Sequence, residues 1–158
     1  MTGIDDGKEH TFRLLRRLEM FELYAKQPFI PILLVTEGLN DSGEMVMNHT
    51  DEETYATAQT MVQTARDNIR NISSDQIILD PGIMPVSSDK EGHLKRLMSA
   101  LKLIHGDRNL TGVSISVGLS NFTAMLPAKK ADGSPVKSPM ESAFLTKTVP
   151  LGLDMVIN

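Results

Sequence analysis

The residues suited to chemistry gather just beyond short apolar runs. Phe29 to Val35 is followed by Thr36-Glu37-Gly38-Leu39-Asn40, and Gln76 to Leu79 by Asp80-Pro81-Gly82. Val113 to Val117 leads into Gly118-Leu119-Ser120-Asn121, and Leu153 to Ile157 into Asn158. Carboxylates accept hydrogen bonds, while amides both donate and accept, so this set suits the polar edge of a heterocycle. Other chemistries are excluded or unsupported. With 0 cysteines there is no thiolate nucleophile, disulfide or cysteine-held zinc. The 4 histidines (His10, His49, His93, His105) are scattered through helices and loops and show no ligand spacing, so no metal site is expected. No glycine-rich phosphate fingerprint follows any run. Catalysis here would rest on positioning and electrostatics rather than on a covalent nucleophile.

Each candidate also has a plainer reading. Asp80 before Pro-Gly can simply start a turn, because Asx side chains bond nearby amides. Asn121 can cap the segment that follows it. Glu37 and Asn40 read equally well as solvated loop residues, and Lys129, Lys130 and Lys137 as solvent-facing charges. Met45, Met47, Met84 and Met125 fill core or loop more often than they form a binding surface.

The elements that must hold these residues follow from periodicity. All four apolar runs have strand length, and the first three are rich in Ile and Val, as expected of strands buried on both faces. Between them, Tyr55, Ala58, Val62, Ala65 and Ile69 recur at helical spacing, as do Leu94, Leu97, Met98, Leu101 and Ile104. Met140, Ala143, Phe144 and Thr148 mark a shorter helix that ends near Pro150 and Gly152. An opening helix carries Phe12, Leu15, Leu18 and Leu23. Thr50 with Glu53, Ser88 with Glu91, and Ser138 with Glu141 each fit a capping box at a helix start, with Pro139 at a first helical position. Asp6 with Glu9 is a weaker version. Ala128 to Pro139 is long, polar and rich in Lys, Gly and Pro, and reads as a functional or mobile loop. The order is helix then strand, four times over. Strands about 40 residues apart predict a parallel sheet with helical crossovers.

Length and composition agree. The 158 residues suit one domain, and 41% hydrophobic with 23% charged residues suits a folded one. A net charge of −4 gives no general attraction to nucleic acid or to anionic membranes. The first 25 residues contain no apolar signal segment, and no run is long enough to span a bilayer. A cytoplasmic protein is expected.

Several motifs resemble one superfamily. Asp80-Pro81-Gly82-Ile83-Met84-Pro85-Val86-Ser87-Ser88-Asp89 resembles the fifth strand and following loop of the pterin-binding, dihydropteroate synthase-like TIM barrels. Gly118-Leu119-Ser120-Asn121-Phe122-Thr123, with Leu126-Pro127, is similar to the sixth-strand motif of their methyltetrahydrofolate:corrinoid methyltransferase branch. Glu141-Ser142-Ala143-Phe144-Leu145 and Leu151-Gly152-Leu153-Asp154 resemble the next helix and strand. Ile4-Asp5-Asp6-Gly7-Lys8-Glu9 is similar to the acidic turn after the third strand. The matches run in order along nearly the whole chain.

The resemblance implies an α/β fold: a partial (β/α)8 barrel whose four strands correspond to the family's fourth through seventh. On that basis residues 1–158 form the C-terminal portion of a pterin-binding domain, with strands one to three and strand eight outside it. It further implies that Asp80 binds the pterin's amino-pyrimidine edge, and that Gly118 and Ser120 line the pterin. Asn121 is the implied catalytic residue, hydrogen-bonding near N5. The implied reaction belongs to one-carbon metabolism: methyl transfer from 5-methyltetrahydrofolate to a corrinoid carried by a partner protein or domain. Asp80-Pro81-Gly82 is closer to the dihydropteroate synthase form, which makes folate biosynthesis the alternative. A catalytically inactive partial barrel is the other, since an open parallel sheet has free edges and favours pairing, a homodimer included.

Overall fold

A computed structural model of the chain describes residues 20, 23, 24, 26, 27, 29–40 and 42–157. In chain order its strands are β1 (Ile32–Leu34), β2 (Glu37–Leu39), β3 (Met45–Met47), β4 (Ile78–Asp80), β5 (Ser114–Gly118) and β6 (Met155–Ile157). The helices are α1 (Asp51–Asn68), α2 (His93–Gly106), α3 (Leu119–Phe122) and α4 (Lys137–Thr148). Of the expected opening helix, Phe12, Leu15 and Leu18 lie outside the described residues, as do Asp6 and Glu9, whereas Leu23 and Tyr24 are helical.

The four apolar runs form one parallel sheet in the order β1-β4-β5-β6. Ile32 pairs with Ile78, Ile78 with Ser114, and Ser116 with Met155, which sets the register across all four strands. Strand alternation then sorts the side chains. Leu33, Val35, Ile77, Leu79, Ile115 and Val117 pack into one core with Ala58, Met61, Val62, Ala65, Leu97, Leu101 and Ile104 from α1 and α2. Full burial of each large side chain contributes about 1.5–3 kcal/mol, so this helix-covered face dominates stability.

The opposite face departs from the expectation of burial on both sides. Its central positions are covered, Ile78 at 8% and Ser116 at 1% exposure. On the outer strands, Ile32, Leu34, Met155 and Ile157 of that face are 44–50% exposed. The physical reason is position: among the described residues, β1 and β6 each have one strand neighbour rather than two.

A second departure is the antiparallel hairpin β2–β3, in which Glu37 pairs with Met47 and Leu39 with Met45. Its turn is closed by Asn40, whose Oδ1 accepts from Ser42 N–H (3.0 Å) and Glu44 N–H (2.9 Å). Below it, buried Asn48 donates through Nδ2 to Val35 O and to Thr57 Oγ1, both at 3.0 Å. Arg96 of α2 donates to the Asn48 carbonyl, tying the hairpin's base to both long helices.

One of the three expected capping boxes forms as read. Thr50 Oγ1 accepts from Glu53 N–H (3.1 Å), and Glu53 Oε2 accepts from Thr50 N–H (3.0 Å). At α2 the N-cap is Gly92, and Asp89 supplies the side-chain acceptor instead, accepting from His93 N–H (2.8 Å) and Leu94 N–H (2.9 Å), while Ser88 Oγ bonds Pro85 O. At α4 no side chain caps the start, which falls at Lys137, so Pro139 sits in the first turn rather than at its first position. Glu141 is recruited elsewhere.

Candidate functional site

The polar strand ends lie together along one edge of the sheet, because parallel strands deliver all their carboxyl ends to the same side. Asp80 closes β4 and shares its face with Ile78, opposite the core residue Leu79. Its Oδ1 accepts from Gly82 N–H at 2.8 Å. The turn-forming reading of Asp80 is therefore realised, and it engages one carboxylate oxygen. Burial pushes the Asp80 carboxyl above its ordinary range, with the Gly82 N–H pulling the other way. Gly82 has φ +71°, and a Cβ there would lie 2.4 Å from Thr36 Cγ2. Only glycine allows the β4 turn to approach the end of β1 so closely.

At the next strand, β5 ends at Gly118, which pairs with Ile157. The chain turns at once into the four-residue α3, carrying Ser120 and Asn121, both exposed. A Cβ on Gly118 would lie 3.1 Å from Asn121 Nδ2, so the Asn121 amide folds back over the strand end. Asn121 does not cap by its side chain; its backbone carbonyl accepts from Ala124 N–H at 3.2 Å. Two contacts hold the segment. Phe122 packs on Phe144 of α4 at a centroid distance of 4.8 Å, and Thr123 Oγ1 donates to Glu141 at 2.6 Å. That bond engages Glu141, and Ser138, one residue inside α4, is not its N-cap.

The structure thus brings Asp80, Gly118, Ser120 and Asn121 to adjacent strand ends. Asn40 turns the hairpin and Glu37 lies within β2, while Asn158 is outside the described residues. Ser116, unmarked in the sequence, is 1% exposed on the Asp80 face, and its hydroxyl has no hydrogen-bond partner. Its only signal was alternation: a serine between Ile115 and Val117 must turn away from the helix-packed core. Of the expected loop, Ala128 to Val136 form a small hairpin, with Lys130 N–H on Ser134 O at 2.8 Å and Asp132 accepting from Ser134, while Lys137 to Pro139 open α4. A groove of about 420 Å³ lined by Gln59, Gln63, Arg66 and Asn109 lies on the helical side, away from the strand ends. No group of three or more His, Asp or Glu able to hold a metal occurs among the described residues.

The carboxyl ends of a parallel α/β sheet, where these polar groups gather, are where barrel and doubly wound folds place small-molecule sites. The comparison with known families narrows it: residues 5–158 match the pterin-binding enzymes, and the chain belongs to that family. The four parallel strands and their helices agree with part of the family's barrel. The sequence has no match among curated proteins. No helix among the described residues is long and apolar enough to cross a membrane.

Proposed function

We propose that the strand ends bind a methylated tetrahydropterin, and that the protein passes its methyl group to a corrinoid. The supporting observation is Asp80: a half-buried carboxylate at a strand end, anchored through one oxygen by Gly82, beside the Gly118–Asn121 strand end. A carboxylate is the double acceptor that the adjacent N–H donors of an amino-pyrimidine edge require. Gly118 and Ser120 line the ring, and the Asn121 amide hydrogen-bonds at N5.

N5 of methyltetrahydrofolate is a poor leaving group, and methyl departure leaves an electron pair on it. A hydrogen bond from Asn121 that strengthens as this charge builds lowers the barrier without a covalent intermediate on the protein. The corrinoid, carried by a partner protein or domain, supplies the cobalt(I) nucleophile that takes the methyl. In this reading the chain corresponds to strands four through seven of the barrel and works in the cytoplasm, with neither nucleic acid nor membrane as partner.

The test is methyl transfer from methyltetrahydrofolate to free cob(I)alamin by the full-length protein. Asn121→Ala is expected to lower the rate about 100-fold, the scale of one lost transition-state hydrogen bond. An unchanged rate removes Asn121 from the mechanism. The Asp80-Pro81-Gly82 turn favours a second reading, dihydropteroate synthesis. Pteroate formed from p-aminobenzoate and a dihydropterin pyrophosphate, with no methyl transfer, would establish it.

A further inference from the structure

A hydroxyl that reaches neither water nor a protein partner is uncommon in a folded protein, because its desolvation opposes folding. Ser116 carries the one such side-chain group found among the described residues. Its neighbours on the strand, Ile115 and Val117, are buried against the helices, so alternation turns Ser116 to the opposite face. The β4–β5 register pairs Ile78 with Ser114 and Leu79 with Ile115. Continued by one step, it sets Ser116 beside Asp80, about 4.8 Å away between neighbouring strands. On its other side Ser116 pairs with Met155, an unbranched side chain that is 44% exposed and able to move aside. An alanine would satisfy the packing there without an orphaned polar atom.

We infer that the Ser116 hydroxyl is a third polar contact of the ligand site, bonding the ring oxygen or nitrogen next to the N–H pair taken by Asp80. The inference rests on the pterin reading and extends it. A carboxylate offers acceptors only, whereas an amino-pyrimidinone edge presents donors flanked by acceptors. Ser116 supplies the donor that Asp80 lacks, from the adjoining strand and the same face. A rigid sheet holds the two groups in one plane of approach, which suits a flat ring.

The experiment titrates 6-hydroxymethylpterin into the full-length protein and records the Tm of each variant. Ser116→Ala is expected to bind about five- to tenfold more weakly, the scale of one hydrogen bond. Its Tm should stay the same or rise, because the orphaned hydroxyl is gone. Ser116→Cys keeps the shape with a somewhat larger atom but is a weak donor, and should lose affinity too. Ser114→Ala, one step back on the same face, should bind as the wild type does. Unchanged affinity in Ser116→Ala overturns the inference. So does a lower Tm with unchanged affinity, since the hydroxyl then has a structural partner. If the wild type binds pterin through Asp80 while Ser116→Ala binds equally well, this inference alone falls. If the wild type binds no pterin, the reading beneath it falls as well.

Discussion

Asp80 combines two roles that the bare sequence presented as alternatives. One oxygen makes the turn through Gly82 N–H; the face it shares with Ile78 leaves the carboxylate at the strand end. Because burial raises its pKa in the folded state, the folded protein binds that proton more tightly than the unfolded chain does. Ionised Asp80 therefore opposes folding, and the penalty grows as pH rises from the unfolded value through the folded one. Asp80→Asn should match or exceed the wild type in stability at neutral pH, with the gain vanishing in acid. The same variant should lose pterin affinity at least tenfold, since an amide cannot accept twice. For the wild type, affinity should fall on acidification with a midpoint above the ordinary carboxylate range. Chemical denaturation and binding titrations across pH check both, and a destabilised Asp80→Asn at neutral pH would contradict the sign.

At the scale of elements, helix ends show what was legible and what was not. Thr50 and Glu53 formed their box because both partners lie within four residues, and Glu53 Oε2 accepts from His49 N–H (2.6 Å) as well without leaving Thr50. Ser88 failed because Asp89, one residue later, offers two oxygens to His93 N–H and Leu94 N–H. Ser138 failed because α4 starts one residue earlier, at Lys137, and Glu141 accepts from Thr123, which is 18 residues away in sequence. The hairpin β2–β3 was missed because its strands are 3 residues each and half-exposed, so alternation had nothing to register. The Asp89 cap carries its own pH signature. The backbone N–H of Leu94, then that of His93, hold its carboxyl below the usual range. Its stabilisation is present above the unfolded pKa and is lost as pH falls through the folded one. Asp89→Ala should cost about 1 kcal/mol at neutral pH and nothing in strong acid, as read by urea denaturation.

For the whole molecule, the parallel sheet and its helical crossovers were readable because short, mostly apolar stretches alternate with helical patterns. That the polar residues after the runs would share one edge was readable too, since parallel strands must gather their carboxyl ends. Which face of each strand would be covered was not. Ile32 and Leu33 are chemically alike, yet one is 47% exposed and the other 2%. The difference depends on what lies beside β1 and β6, which no local pattern encodes. The exposed apolar face has a measurable consequence: as an isolated 158-residue chain the protein should self-associate. Leu34→Lys with Ile157→Lys should shift it toward monomer in sedimentation velocity, with far-UV circular dichroism unchanged. A wild-type chain monomeric at high micromolar concentration would refute this.

The clamp at the base of the hairpin bears on where such a chain can mature. Asn48-His49-Thr50 has the spacing of an acceptor for N-linked sugar, and the nitrogen that would carry the glycan is Asn48 Nδ2. In the folded protein that nitrogen is held between Val35 O and Thr57 Oγ1, with the residue 4% exposed. A glycan and this corner of the fold therefore exclude one another. Directed through a glycosylating compartment, the chain would be modified before folding and could not then seat β1 against α1.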